Sequence, residues 1–285
     1  MFVITGVTGQ VGGVVAAHVL AAGLPVRAVA RNAEKAAEWK DKGAGLALAE
    51  MTDADTLAKA FAGADGVFLL IPPTFDPTPG FAEVRAVIAA LKAALLSSRP
   101  AKVVCLSTIG AQATEPNLLS QVGLVEQELS ALPMPIAFLR AGWFMENAAS
   151  DIATARETGV VPSFLQPLDH PYPMVSVCDV GAKAAELLLQ EWAGKQVIEL
   201  MGPKRVTPND IAAVFSSVLG KPVRMEPVAR DTWQQLFIGQ GMKNPIPRMR
   251  MIDGFNEGWI RFEGEPAKGT TTLEMAIRRL VDAGR

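Results

Sequence analysis

The sequence predicts an α/β fold with a doubly wound parallel sheet, on three observations. Short, almost wholly apolar runs alternate with helical patterns between Phe2 and Arg140, as strands do when helices cover both faces of a parallel sheet. The first run breaks into a glycine-rich turn, GVTGQVGG, that leads into a helix. Over 285 residues, 49% apolar and 20% charged side chains are the composition of a compact chain with one sizeable core.

The elements follow in order. Phe2-Val3-Ile4-Thr5 reads as a buried strand, and Gln10 to Ala22 as a helix rich in Val and Ala. LPVRAVA (24–30) is a second strand, followed by a charged helix from Ala33 to Lys42. AGLALAE (44–50) is a third, and DADTLAKAFAGA (53–64) a helix with Asp53 as its N-cap. GVFLLIPP (66–73) is a fourth, before a long helix over Gly80–Ser97. AKVVCLST (101–108) and Pro135–Arg140 are the fifth and sixth.

The second half changes character. Pro and Gly mark a loop-rich insertion between Gly159 and Pro173. QVIELMG (196–202) reads as a strand that joins the first sheet, and VRMEPV (223–228) as a short one. TPNDIAAVFSSVLGK opens a helix with Thr207 as cap, Pro208 at its first position and Asp210 near the positive end. The final TTTLEMAIRRLVDAG carries a Thr271…Glu274 capping box, with Arg278 and Arg279 in later turns. The division expected is residues 1–150 and a smaller region, 151–285, without an independent core.

Charge and cysteine content exclude several classes. A net charge of −2 and the lack of a basic stripe give no reason to invoke nucleic acid. No apolar run reaches the length of a membrane span, and no basic region precedes the first strand, so a cytoplasmic protein is expected. Cys105 and Cys178 suggest neither a disulfide framework nor a zinc cluster. Asp169 and His170 are adjacent but lack further ligands, so no metal is expected. His18 lies within the first helix and reads as structural.

The glycine turn points to a nucleotide. Gly6, Gly9 and Gly12 are spaced three apart. They let the chain swing from strand to helix and let a pyrophosphate approach helix N–H groups closely. With Thr8, Gln10 and Val11 in the same turn, they are the candidate cofactor residues. At the end of the second strand, where a dinucleotide's ribose is read, stands Arg31, with Asn32 beside it and Lys35 a turn later. An arginine there pairs with a 2′-phosphate, which favours NADPH over NADH.

TGVTGQVGG, the ARN after strand two, LSTIGA (106–111), LRAGWFMEN (139–147) and DGFNEGWIRFEG (253–264) together resemble the NmrA-like branch of the atypical short-chain dehydrogenases/reductases. The resemblance spans nearly the whole chain and implies a Rossmann-type domain binding NADP(H), with a smaller C-terminal portion across the cleft. The family includes NADPH-dependent quinone reductases, triphenylmethane-dye reductases and regulators that bind the dinucleotide without turning it over. It implies that Ile71, Pro72 and Pro73, and Gly142, Trp143 and Phe144, line the cofactor near its nicotinamide half. It also matches Ser107 and Thr108 to the serine region after strand five.

The chain departs from the family's usual proton donors. Short-chain reductases use a Tyr-x-x-x-Lys pair, but the single tyrosine here, Tyr172, is followed four residues on by Ser176. Many NmrA-like relatives place a Lys or His four residues before a helical Glu. In SQVGLVEQEL that Glu matches Glu126, so Val122 stands at the Lys/His position. Ser107, Thr108, Tyr172 and His170 are the remaining catalytic candidates. Hydride addition to a ketone builds a basic alkoxide, for which a positioned acid is worth ~10²–10⁴ in rate. A quinone gives a phenolate-like anion of pKa ~10 that water protonates unaided, and cationic dyes need no oxygen protonation. The expected acceptor is therefore electron-poor and conjugated, with Phe75, Trp143, Phe144, Met145, Tyr172, Met174 and Trp233 as candidate lining residues. Two readings stay open: such a reductase, or a non-catalytic NADP(H) sensor acting through a protein partner. A homodimer is left open as well.

Overall fold

The computed structural model describes residues 1–72 and 74–283. Pro73 lies outside the described residues. In the first half, β1 (Phe2–Thr5), α1 (Gln10–Ala21), β2 (Val26–Ala30), α2 (Ala37–Asp41), β3 (Gly45–Leu48), α3 (Ala54–Phe61), β4 (Gly66–Leu69), α4 (Ala82–Ser98), β5 (Val103–Thr108), α5 (Ser120–Ser130) and β6 (Ile136–Ala141) alternate. The charged stretch after β2 is a short 3₁₀ turn, Glu34–Ala36, running into α2, rather than one helix. The Asp53 side chain caps α3 by accepting from the N–H groups of Asp55 and Thr56.

The second half adds β7 (Trp143–Phe144), α6 (Ile152–Glu157), β8 (Val160–Ser163), β9 (Met174–Val175), α7 (Val177–Leu189), β10 (Lys195–Met201), α8 (Pro208–Leu219), β11 (Arg224–Pro227), α9 (Trp233–Gly239), α10 (Ile246–Glu257), β12 (Ala267–Lys268) and α11 (Leu273–Ala283). The main sheet has eight strands in the order β12-β10-β6-β5-β4-β1-β2-β3, and its pairings are parallel. Strand order reverses at β1, which is flanked by β2 and β4. This is the crevice where open sheets bind ligands.

Each face of the sheet buries a distinct apolar layer. Val11, Val15, Ala16 and Val19 of α1 pack with Val180, Ala184 and Leu188 of α7 on one face. Leu57 and Phe61 of α3, Ile88, Leu91 and Leu95 of α4, and Val125 and Leu129 of α5 fill the other. The Thr5 hydroxyl stitches β1 to β4, donating to Phe68 O at 3.1 Å and accepting from Leu70 N at 2.8 Å.

Three sequence expectations change here. The Gly159–Pro173 stretch is not only loop, because Val160–Ser163 pairs in parallel with Arg224–Pro227. The second half builds a further apolar cluster, centred on Val161, Tyr172, Met174, Phe215, Phe255 and Ile277, which also takes in Ile109, Met145 and Ala148 of the first 150 residues. It was not expected because its strands are two to four residues long and carry no clear period. Finally, Thr271 does not cap α11. Its hydroxyl donates to Asp179, while Thr272, next to the helix, accepts from Met275 N at 3.3 Å. The Thr207–Asp210 capping box of α8 forms as expected. Among the described residues no helix is long and apolar enough to cross a membrane.

Candidate functional site at the carboxyl ends of the strands

The turn between β1 and α1 is held by its own backbone. Gly6 sits at φ +65°, and its carbonyl accepts from Gly9 N at 2.9 Å. A Cβ on Gly12 would lie 2.2 Å from Gly6 O, so this glycine is demanded by the turn itself. A Cβ on Gly9 would meet only Gly6 O, at 3.3 Å, and Gly9 is exposed. No side chain caps α1 and no acidic residue stands in its first turn. The first N–H groups of a helix lack intrahelical partners, and here they open beside exposed Thr8, Gly9 and Gln10. An anionic group of phosphate size fits this start.

Arg31 follows β2 directly and is exposed, with no ion-pair partner among the described residues. The Asn32 side chain accepts from Lys35 N at 3.0 Å, which shapes the turn carrying Arg31 and the exposed Lys35. Behind it, Trp39 is buried against Gly13. His18 is exposed on α1.

Past β4, Ile71 is half-buried, Pro72 exposed and Phe75 60% exposed. Past β6, Gly142 has a packing reason of its own, since a Cβ there would lie 2.5 Å from Pro173 O. Trp143 and Phe144 pair with Met174 and Val175 and are half-buried, and Trp143 meets Phe255 edge-on at 5.1 Å. Glu146, in the same stretch, takes hydrogen bonds from Ser176 Oγ at 2.5 Å and Val177 N at 3.0 Å. It therefore ties the loop after β6 to the start of α7.

Ser107 is buried at the end of β5, and its hydroxyl donates to Glu126 Oε1. Arg140, its register partner on β6, grips both oxygens of Glu126, Nε to Oε1 at 2.9 Å and Nη2 to Oε2 at 2.7 Å. Arg140 Nη1 reaches Glu263 and lies 3.8 Å from Glu199. Burial works against the arginine charge, but the hydrogen bonds and charge of Glu126, then Glu263, hold its pKa above the ordinary value. Burial, then the nearby Glu126 charge, pushes the Cys105 thiol up, so Cys105 is inert in the core. Thr108 donates to the neighbouring Ile109 carbonyl at 3.2 Å.

Several sequence candidates do not line an open cleft. Tyr172 is 1% exposed, with its hydroxyl 3.0 Å from Gln166 O and 2.9 Å from Asn256 Oδ1; burial pushes its pKa up to about 12. Trp233 is fully buried in a satellite cluster with Phe237 and Ile252, and its Nε1 donates to Val228 O at 2.9 Å. Met145 and Met174 belong to the second-half core. Large residues read equally well as core or lining in a sequence, and here the core holds them. His170 is half-buried and stands edge-on to Tyr172 at 4.8 Å.

The sequence reading missed a depression of about 600 Å³ between Gln112–Glu115, after β5, and Trp259–Glu263. It borders the Arg140 network through Glu263. The signal was in view: DGFNEGWIRFEG supplies one wall. Nothing in a linear chain shows that this stretch faces the loop after β5.

Comparison with known proteins agrees with this geometry. The model of the NmrA-like family matches residues 1–260. An NAD(P)H azoreductase from Xenophilus azovorans is 28% identical over 259 residues, 90% of this chain and 85% of that protein. An NADPH-dependent quinone oxidoreductase from Escherichia coli, solved with NADPH, has the same fold at a TM-score of 0.81 and 22% identity, covering 99% of this chain and 100% of that one. The Citrobacter triphenylmethane reductase, solved with NADP(H), also gives 0.81, at 20% identity over 98% of this chain and 99% of that one.

Proposed function

The chain belongs to the NmrA-like family, and from this and the site we propose that it is an NADPH-dependent reductase of quinone-like or other electron-poor conjugated acceptors. One observation carries the reading. The start of α1, which no side chain caps, opens at the carboxyl end of β1 behind the Gly6–Gly9–Gly12 turn, with Arg31, which has no ion-pair partner among the described residues, at the end of the adjacent strand. A pyrophosphate would take the N–H groups of this turn, and Arg31 and Lys35 would take a 2′-phosphate. NADPH held there would supply hydride.

The protein's own contribution is alignment and exclusion of water. Ile71, Pro72, Trp143 and Phe144 would frame the nicotinamide half, and Trp259, beside the depression after β5, offers the acceptor an aromatic face. Residues 1–150 would hold the cofactor and 151–285 the acceptor side. The Ser107 hydroxyl gives its one proton to Glu126, Tyr172 is buried in the core, and Val122 has no acidic proton to give. Acceptors that need no positioned acid suit such a site.

A second reading, a non-catalytic NADP(H)-binding redox sensor acting through a protein partner, draws on the same commitment of Ser107. Measuring NADPH oxidation against quinones, azo and triphenylmethane dyes, imines and ketones separates the two. Turnover of quinones or dyes ahead of aliphatic ketones is expected. Binding without turnover of any acceptor would favour the sensor.

A further inference from the structure

Beyond the carboxyl end of β4, the loop after that strand is tied to the loop before α10. Asp76 accepts from two consecutive backbone N–H groups, Lys243 to Oδ2 at 2.9 Å and Asn244 to Oδ1 at 2.7 Å. Asn244 Nδ2 returns a bond to Pro77 O at 2.9 Å. On the inner side, Gln121 of α5 donates to Thr74 O at 2.9 Å, and Leu118 N donates to Pro247 O at 2.9 Å. Segments 74–77, 118–121 and 243–247 thus meet through hydrogen bonds, with Pro77, Leu118 and Pro245 buried among them. Phe75 and Ile246, beside the tie, are 60% and 48% exposed.

We propose that Asp76 is a positioning residue that locks these loops together over the crevice and slows the escape of bound NADPH. This rests on the reductase reading. The loop that Asp76 holds continues from Ile71 and Pro72, at the carboxyl end of β4 and beside the crevice. The partner loop belongs to the second half, so the tie joins the two sides of the cleft. A carboxylate is the side chain suited to the task, since each oxygen takes one N–H. An asparagine could accept only one and would turn its own NH₂ towards the other. The N–H bonds of Lys243, then Asn244, hold the Asp76 carboxyl below the usual carboxylate range, consistent with a tie made by the charged form. Because the Asp76 bonds run between two loops and belong to no helix or strand, one side chain can loosen them without breaking a regular element of either half.

The test is stopped-flow displacement of NADPH, followed by its fluorescence, with the melting temperature of the NADPH-free protein measured alongside. Asp76→Asn is expected to speed NADPH release roughly ten- to a hundredfold, as for loss of one charge-assisted bond, with an unchanged melting temperature. Asn244→Ala, which removes only the bond to Pro77, is expected to give a smaller increase. Native release rates in both variants would overturn the proposal while leaving the reductase reading intact. Faster release that tracks a lowered melting temperature would also overturn it, by reducing Asp76 to a fold-stabilising role. If the unmutated protein binds no NADPH, the functional reading has failed, and the proposal falls with it.

Discussion

The hydroxyl of Ser107, at the end of β5, donates to the carboxylate of Glu126 on α5, and Arg140 holds that carboxylate from the other side. A serine has one proton to give, and this one is spent inside the protein. Ser107→Ala is therefore expected to lower quinone turnover by well under the ~10²–10⁴ lost with a true general acid. A steady-state comparison of kcat in the two proteins checks it.

Glu126→Ala would strand the Arg140 guanidinium, whose side chain is only 6% exposed, beside Glu199 and Glu263 alone. Removing one partner of a buried pair costs about 3–5 kcal/mol when the charge left behind has no other partner, and the retained bond to Glu263 offsets part of that here. The expected outcome is a marked loss of stability in urea unfolding, with Glu126→Gln milder because the amide keeps one acceptor.

Arg31 has no ion-pair partner among the described residues, so its removal should touch cofactor choice above all. Arg31→Ala is expected to weaken NADPH by about 1.5–3 kcal/mol, the worth of hydrogen bonds to a charged group, while NADH affinity holds. Titrating both cofactors against both proteins is the measurement, and equal native affinities would refute the assignment.

Gly9 and Gly12 should behave differently. Gly9→Val puts a side chain where only Gly6 O is near, so the protein should fold and fail to bind NADPH. Gly12→Val would drive a Cβ to 2.2 Å from Gly6 O and should disturb the fold itself. Circular dichroism together with NADPH binding distinguishes the two.

Burial pushes the Asp151 carboxyl from 3.8 up to about 6, with Ser150 opposing. Its folded-state pKa is above its unfolded value, so the folded protein takes up the proton first as pH falls. Stability contributed by the neutral acid is present below the unfolded value and is lost as pH rises through about 6. Asp151→Asn should raise stability at pH 8 by about 1–2 kcal/mol and flatten that slope. Urea unfolding at several pH values reads both effects.

Legibility in the sequence followed the range of the interaction. The β1 turn, the Asp53 cap and the Thr207–Asp210 box are written within a few neighbouring residues, and each stands where expected. Arg140 meets Glu126 from 14 residues away and Glu263 from 123, and no local pattern marks such partners. Tyr172 and Trp233 looked like lining because aromatic residues near loops suggest pockets, whereas Tyr172 is buried in the second-half core and Trp233 in the cluster between α9 and α10. The α11 cap was misplaced by one residue because three threonines stand in a row and Asp179, remote in the chain, claims the middle one.

The pairing of β10 with β6, and of α7 with α1, has a consequence for how the chain is made. A ribosome releases the glycine turn and six strands before the residues that finish their sheet. Until Met201 has emerged, β6 presents a bare edge, and Val11, Val15 and Val19 have no α7 to cover them. Such a nascent chain is open to strand addition and to non-specific apolar contact. The glycine turn is synthesised well before β10 and α7, so the sheet and helices that support it close only once the chain has been made as far as Met201.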